Sequence, residues 1–238
     1  MDNIDVEYAR EKGLKVFNTP AASSDSVAEL VMGHMRSLVR FMHDSNRQMP
    51  LEGDSKFGAL KKSYAKGVEL RGRTLGIVGF GRIGQALAKL AIGAGMKVVF
   101  SDIHEDNVDV ELSFFDGQSA KFTCENVGFD RVLSESDFVS VHVPGGDLIG
   151  ASELAKMKDG VVLLNAARGG VINEEALLDA LESGKVAGAG LDVFVNEPTP
   201  AVKVLMNGKL SVTPHIGAAT LEAQDRIGTE LAAQIDAI

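Results

Sequence analysis

Three polar residues stand where apolar runs end: Arg168 after residues 161–167, Glu197 after 191–195 and His215 after 210–214. Brought together, an imidazole, a carboxylate and a guanidinium can take a proton from a hydroxyl, stabilise the imidazolium that results and grip a substrate carboxylate. Such a set oxidises an alcohol only beside a hydride acceptor. A site for one is written in Gly79-Phe80-Gly81-Arg82-Ile83-Gly84, between the apolar run at 75–78 and an alanine-rich stretch, with Asp102 following Gly84 by 18 residues at the end of the run 97–101. In that order Gly79 is expected to make a tight turn and Gly81 to let a pyrophosphate reach the backbone. Gly84 would let a helix lie close to its strand, its first N–H groups facing the phosphates. Asp102 is expected to accept from ribose hydroxyls and to repel a 2′-phosphate, so the reading is NAD rather than NADP. Singly, each feature has a plainer explanation: a structural glycine turn, an arginine paired with a structural carboxylate, a Glu197-Pro198 turn, a satisfied histidine.

The scaffold decides between these. From Leu75 onward, apolar runs at 75–79, 97–101, 138–143, 161–165, 186–194 and 210–213 alternate with helical stretches at 83–94, 151–157 and 174–183. Asn173 is expected as an N-cap and Gly184 at the C-cap of the last. This alternation predicts an α/β fold, a doubly wound parallel sheet of Rossmann type with helices on both faces. In such a sheet ligands bind beyond the carboxyl ends of the strands, so Arg168, Glu197 and His215 should converge on the crevice that holds the dinucleotide.

The flanks are read with less pattern. Residues 14–18 resemble a short strand, and 121–125 an additional one, while Phe114 and Phe115 are expected to pack rather than bind a base. Ser26 and Glu29 form a capping-box pattern ahead of Val27, Leu30, Val31, Met35, Leu38, Val39 and Met42, which recur on one broad helical face. That face packs either on its own domain or at a subunit or interdomain surface. Residues 45–70, with Pro50, Gly53, Gly58 and Gly67, read as an irregular surface connection. Thr220 is expected to cap a helix with Leu221, Ile227, Leu231, Ile235 and Ile238 along one side.

Composition narrows the class. The chain has 238 residues, 45% hydrophobic and 24% charged, enough to bury a full core. A net charge of −9 argues against a nucleic-acid surface, and the densest basic spot, Lys61-Lys62, reads as solvated. The single cysteine, Cys124, excludes an internal disulfide framework and suits a reducing, cytoplasmic setting. Neither a metal-ligand spacing, a signal peptide nor a membrane-length apolar run is present in the sequence.

Several stretches together resemble the NAD-dependent D-isomer-specific 2-hydroxyacid dehydrogenases, and within them the D-3-phosphoglycerate dehydrogenases: Asp2-Asn3-Ile4-Asp5, Asn18-Thr19-Pro20, Ser26-Val27-Ala28-Glu29-Leu30, the glycine turn with Gly76-Ile77-Val78, Asn165-Ala166-Ala167-Arg168-Gly169-Gly170, Leu191-Asp192-Val193-Phe194 with Glu197-Pro198, and Thr213-Pro214-His215-Ile216-Gly217. The resemblance implies Arg168, Glu197 and His215 as catalytic residues, with His215 the proton acceptor. It places Arg82 and Ile83 at the pyrophosphate and Val143 and Pro144 beside the adenine. Ala166, Ala167, Asp192, Gly217 and Ala218 would line the nicotinamide end, where Arg168 and His215 also meet the cofactor; Asp192 could instead be a structural carboxylate.

The implied reaction is 3-phosphoglycerate to 3-phosphohydroxypyruvate, as in serine biosynthesis. Alternatives are a glycerate, hydroxypyruvate or D-lactate dehydrogenase, or a non-catalytic NAD-sensing module of the corepressor kind. By resemblance, residues 1–22 are a remnant of a substrate domain, 23–70 a linker and dimerisation helix, 71–217 the NAD-binding domain, and 218–238 a helix returning toward the substrate domain. A homodimer or higher homo-oligomer is expected. The glycine-rich carboxylate loop of the family's substrate domain is not in the sequence, so the chain is expected to be truncated and inactive alone. The loop at 143–148 is shorter than in relatives.

Overall fold

The computed structural model describes residues 4–104 and 106–237. Asp2 and Asn3 of the first motif, and Ile238 of the terminal stripe, lie outside them.

The strands are β1 (Thr74–Val78), β2 (Lys97–Ser101), β3 (Val108–Ser113), β4 (Ser119–Asn126), β5 (Phe138–Val141), β6 (Val161–Asn165), β7 (Val186–Leu191) and β8 (Leu210–Val212). They form one sheet in the order β3-β4-β2-β1-β5-β6-β7-β8, parallel throughout except that β3 runs antiparallel to β4. The helices are α1 (Val6–Glu11), α2 (Ser24–Val39), α3 (Met42–Ser63), α4 (Arg82–Gly93), α5 (Phe129–Glu135), α6 (Ala151–Lys156), α7 (Glu174–Ser183), α8 (Val202–Leu205) and α9 (Leu221–Asp236). From β1 the chain runs outward to β2 and β4, then returns through α5 to β5 on the other flank of β1. That reversal opens a crevice at the carboxyl ends of β1 and β5, where an α/β sheet binds its ligand.

The central strands read as unbroken apolar runs because both their faces are covered. Val161 and Leu163 of β6 join one buried layer with Leu177 and Leu181 of α7, while Val162 and Leu164 join the other with Met35 of α2 and Leu87 of α4. Each such side chain, fully buried, contributes roughly 1.5–3 kcal/mol. The broad face of α2 thus lies on the sheet, with Val27, Val31, Met35, Leu38 and Val39 all buried. Local signals act as read for α7 and α9: Asn173 accepts from the Ala176 N–H at 3.0 Å, Gly184 takes φ 81°, and Thr220 accepts from the Ala223 N–H at 3.1 Å.

Other expectations are overturned. Residues 14–18 form no strand. The Asn18 and Ala22 carbonyls accept from Gln234 (3.0 Å) and Arg226 (2.8 Å) of α9. Residues 45–70 are largely helical rather than irregular. Helix α3 contains Pro50, kinks at Lys56 and has no buried residue. It folds back so that the Tyr64 hydroxyl donates to Asp44 at 2.9 Å. The Val68 N–H donates to the Val39 carbonyl at 3.1 Å, so residues 40–67 form an arm that leaves and rejoins the body at one point. The expected capping role of Ser26 also fails: α2 begins at Ser24, and the Ser26 hydroxyl bonds Thr220 at 2.8 Å. Phe114 and Phe115 do not pack; they sit exposed at the turn of the β3–β4 hairpin, Phe115 entirely so. The stripe of α9 is also exposed at Leu221, Leu231 and Ile235.

Candidate active site

The glycine turn follows β1 because nothing larger fits. Gly79 has φ 89°, and a Cβ there would fall 2.6 Å from the His142 carbonyl oxygen at the end of β5. A Cβ on Gly84 would fall 2.5 Å from the Gly79 carbonyl, so α4 rests directly on the turn. Phe80 anchors it from below, 4% exposed and stacked on Phe100 of β2 at 3.9 Å between ring centres. Asp102, at the end of β2, accepts the Phe80 N–H at 2.6 Å through Oδ2 and the His104 N–H at 3.1 Å through Oδ1. The carboxylate read as a ribose acceptor is therefore also a clasp on the turn. No side chain caps the first turn of α4, and a Cβ on Gly81 would meet nothing within 4 Å. Backbone donors thus face open space, a cradle that fits a pyrophosphate. Arg82 is exposed and Ile83 partly buried at its rim.

Asn165, the polar end of the otherwise apolar β6, shapes the next loop. It is 3% exposed; its Oδ1 accepts the Ala167 N–H at 3.0 Å and its Nδ2 donates to the Arg168 carbonyl at 2.9 Å. Arg168 points outward, its Nη1 donating to the Ala167 carbonyl at 2.7 Å. Gly169 brings this loop against the one after β7, since a Cβ would lie 1.9 Å from the Phe194 carbonyl oxygen. There Glu197 accepts the Phe194 N–H through Oε1 at 2.9 Å, and its Oε2 lies 2.7 Å from His215 Nδ1. A carboxylate only accepts, so Nδ1 carries a proton toward Glu197, which leaves Nε2 as the ring atom that can give up or take a proton. Partial burial by itself would raise the Glu197 pKa; the hydrogen bonds from His215 and Phe194 and the charges of His215 and Arg168 outweigh it and hold the carboxyl below its ordinary value. This pair walls a cavity of 410 Å³ whose other lining includes Phe194, Pro198, Leu205 and Val212.

The residues read as nicotinamide neighbours gather at the same ends of β6, β7 and β8. Asp192 is 1% exposed and its oxygens are engaged by the chain itself: the Thr213 hydroxyl donates at 2.6 Å, and the Ile216 and Gly217 N–H groups at 2.8 Å each. Ala167 and Gly217 are buried, Ala166 half-buried and Ala218 exposed. Across the crevice Val143 packs on the core while Pro144 is exposed. A larger cavity, 790 Å³, opens at the opposite, amino ends of the strands, beside Phe138, Val161 and Gly188. Sequence reading missed the Phe80–Asp102 clasp, the loop-shaping role of Asn165 and His34 of α2. A polar residue ending or interrupting an apolar pattern was the available signal for the last two.

Residues 32–217 match the NAD binding domain of the D-isomer specific 2-hydroxyacid dehydrogenases. The chain belongs to that family. It is 46% identical over 242 residues to the hydroxypyruvate reductase of Thermotoga maritima, covering 99% of this chain and 73% of that protein. Against the D-3-phosphoglycerate dehydrogenase of Methanocaldococcus jannaschii it is 39% identical over 245 residues, covering 99% of this chain but 43% of the relative. Among solved structures, the apo form of D-mandelate dehydrogenase from Rhodotorula graminis superposes with a TM-score of 0.86 at 28% identity, over 99% of this chain and 68% of that one. NAD is the cofactor of this dehydrogenase domain, and the open cradle at Gly81 is compatible with it. Among the described residues no helix is long and apolar enough to cross a membrane.

Proposed function

We propose that the protein interconverts a D-2-hydroxy acid and its 2-keto acid, with His215 as base, Glu197 as its orienting partner and Arg168 as the substrate clamp. The observation that carries this is the His215 Nδ1 to Glu197 Oε2 hydrogen bond of 2.7 Å, at the crevice end that also holds Arg168 and the glycine turn. His215 Nε2 takes the hydroxyl proton as the substrate C–H bond breaks and the C–O bond becomes C=O. Bound NAD supplies the acceptor for the hydride leaving that carbon. Glu197 keeps the ring in the tautomer that frees Nε2 and stabilises the imidazolium once the proton arrives. The planar, always charged guanidinium of Arg168 suits a carboxylate and the oxygen on which charge changes. In the reverse direction His215 donates the proton to the carbonyl oxygen.

For the substrate, 3-phosphoglycerate is the first reading, supported by the relatives named D-3-phosphoglycerate dehydrogenase; the product would enter serine biosynthesis. The glycerate and hydroxypyruvate pair is the second, favoured by the 46% identity to the Thermotoga protein. The arm at 40–67 exposes Met42, Met49, Leu51 and Phe57, which supports its use as the contact of a homodimer. Buried Cys124, its thiol pushed up to about 11 chiefly by burial, fits a cytoplasmic protein without disulfides. The test is a steady-state assay with 3-phosphoglycerate, glycerate and D-lactate, each with NAD and NADP, on a full-length version that carries the substrate domain and on His215→Ala in the same version. Turnover with one D-2-hydroxy acid and NAD, lost in His215→Ala while NADH binding remains, is expected. Retained turnover in the variant would remove His215 as base, and NADH binding without turnover of any of the three would favour a sensing module.

A further inference from the structure

His34 lies on the face of α2 that packs against the sheet and is 5% exposed. Gly190 of β7 makes the room, since a Cβ there would fall 2.7 Å from the His34 Cβ. Both ring nitrogens have partners: Nδ1 is 2.8 Å from Ser211 Oγ and Nε2 is 3.1 Å from Thr213 Oγ1. The directions of these bonds follow from one proton count. Thr213 gives its only hydroxyl proton to Asp192, at 2.6 Å, so toward His34 it can only accept. His34 Nε2 therefore carries the ring proton, and Nδ1 accepts from Ser211. Burial lowers the His34 pKa and His43 adds to the effect, while Asp192 opposes it, so the ring is neutral. Ser211, His34, Thr213 and Asp192 thus form a chain whose donors all point one way, an arrangement in which each bond polarises the next.

The chain ends on the carboxylate that holds the two residues following His215. Asp192 accepts from the Ile216 and Gly217 N–H groups at 2.8 Å each. That loop needs holding, because His215 itself has φ 54°, a left-handed conformation that a residue with a Cβ leaves readily. Its N–H bonds the Thr213 carbonyl at 3.1 Å and its ring bonds Glu197, so the imidazole is fixed from the β7 loop on one side and from Asp192 beneath.

We infer that His34 is a positioning residue for His215: through Thr213 and Asp192 it fixes the 213–217 loop and so the place from which Nε2 meets the substrate hydroxyl. The inference rests on the proposed role of His215 as base. Three variants test it. His34→Leu removes both bonds and keeps apolar bulk, His34→Gln keeps a donor toward Thr213, and Thr213→Val cuts the next link should His34→Leu fail to fold. In His34→Leu and in Thr213→Val, kcat is expected to fall about tenfold with substrate KM changed less than about twofold, the scale of one lost positioning bond. Hydrogen exchange at the Ile216 and Gly217 amides should speed by about tenfold while that of Ile77 in β1 stays as it was. His34→Gln should bring both readouts back to within about threefold of the parent. Unchanged kcat and exchange in both cutting variants, or exchange that speeds equally at Ile77, would overturn the inference. If His215→Ala keeps turnover, the reading of His215 fails and the inference with it; if His215→Ala loses turnover and His34→Leu does not change, only the inference fails.

Discussion

Replacing Asp102 with alanine removes one charge and two hydrogen bonds from the glycine turn, and the two bonds are not equal. The His104 N–H is exposed, so water takes the place of the carboxylate at little cost. The Phe80 N–H belongs to a residue 4% exposed and wedged against Phe100, and is left without a partner. Losing a hydrogen bond to a charged group costs about 1.5–3 kcal/mol. For a chain of this size each kcal/mol lowers Tm by roughly 2–4 °C, so Asp102→Ala should melt about 3–12 °C lower. Affinity for NADH should fall by about 10–100-fold as the ribose loses its acceptor, at about 1.4 kcal/mol per tenfold. Asp102→Asn separates the two roles: its amide oxygen can still accept from Phe80 and recover most of the Tm, while loss of the charge narrows the preference for NAD over NADP. Thermal melting followed by circular dichroism, with NADH and NADPH fluorescence titrations, reads both. An unchanged Tm in Asp102→Ala would refute the clasp, and a lowered Tm with unchanged NADH affinity would remove Asp102 from the ribose.

Three further outcomes are expected. Gly169→Ala puts a methyl group 1.9 Å from the Phe194 carbonyl oxygen, a backbone atom that cannot turn aside; overpacking of this kind costs about 1–3 kcal/mol, and the displaced loop carries Glu197, so turnover should fall more than Tm suggests, whereas normal kinetics would show that the loops separate freely. Glu197→Gln should lower kcat by about 10–100-fold with NADH affinity unchanged, and an equal loss of NADH binding would place Glu197 outside the proton-transfer role. His142 has its pKa lowered by burial to about 4 from 6.5, and its Nδ1 has no hydrogen-bond partner among the described residues. The unfolded chain therefore binds a proton that the folded one refuses between those values, so stability is complete above pH 6.5 and lost as pH falls toward 4. Urea unfolding of His142→Gln should show a flatter curve, by on the order of 2–3 kcal/mol across that window, and parallel curves would refute it; His34, also lowered by burial, leaves a smaller slope of the same sign.

Much of the dinucleotide core was legible because its signals are local. A strand covered on both faces reads as an apolar run, a cap needs only the N–H three residues on, and a glycine turn announces its own backbone. Asn173, Thr220, Gly184 and Gly79 each act within a few residues of themselves. Helix α3 escaped notice for the converse reason: with no buried residue it has no apolar period to display, and Pro50 and three glycines between residues 53 and 67 imitate a loop. The strand expected at 14–18 was plausible from composition alone, but a strand exists only where an edge accepts it, and α9 lies there instead. Ser26 offers a capping hydroxyl to its own helix yet bonds Thr220, 194 positions away.

The site divides along the same line. Sequence alone determined which side chains stand at strand ends, in what order, and hence the family and the cofactor. It could not determine that Glu197 and His215 meet, that Asp102 holds Phe80, or that His34 reaches Asp192 through Thr213. Those pairings arise from β1 lying beside β2, from the side-by-side order of β6, β7 and β8, from Gly169 letting two loops touch, and from Gly190 letting α2 settle onto β7. They depend on distances between segments far apart in the chain, which no local preference encodes and which only the close packing of the folded core fixes.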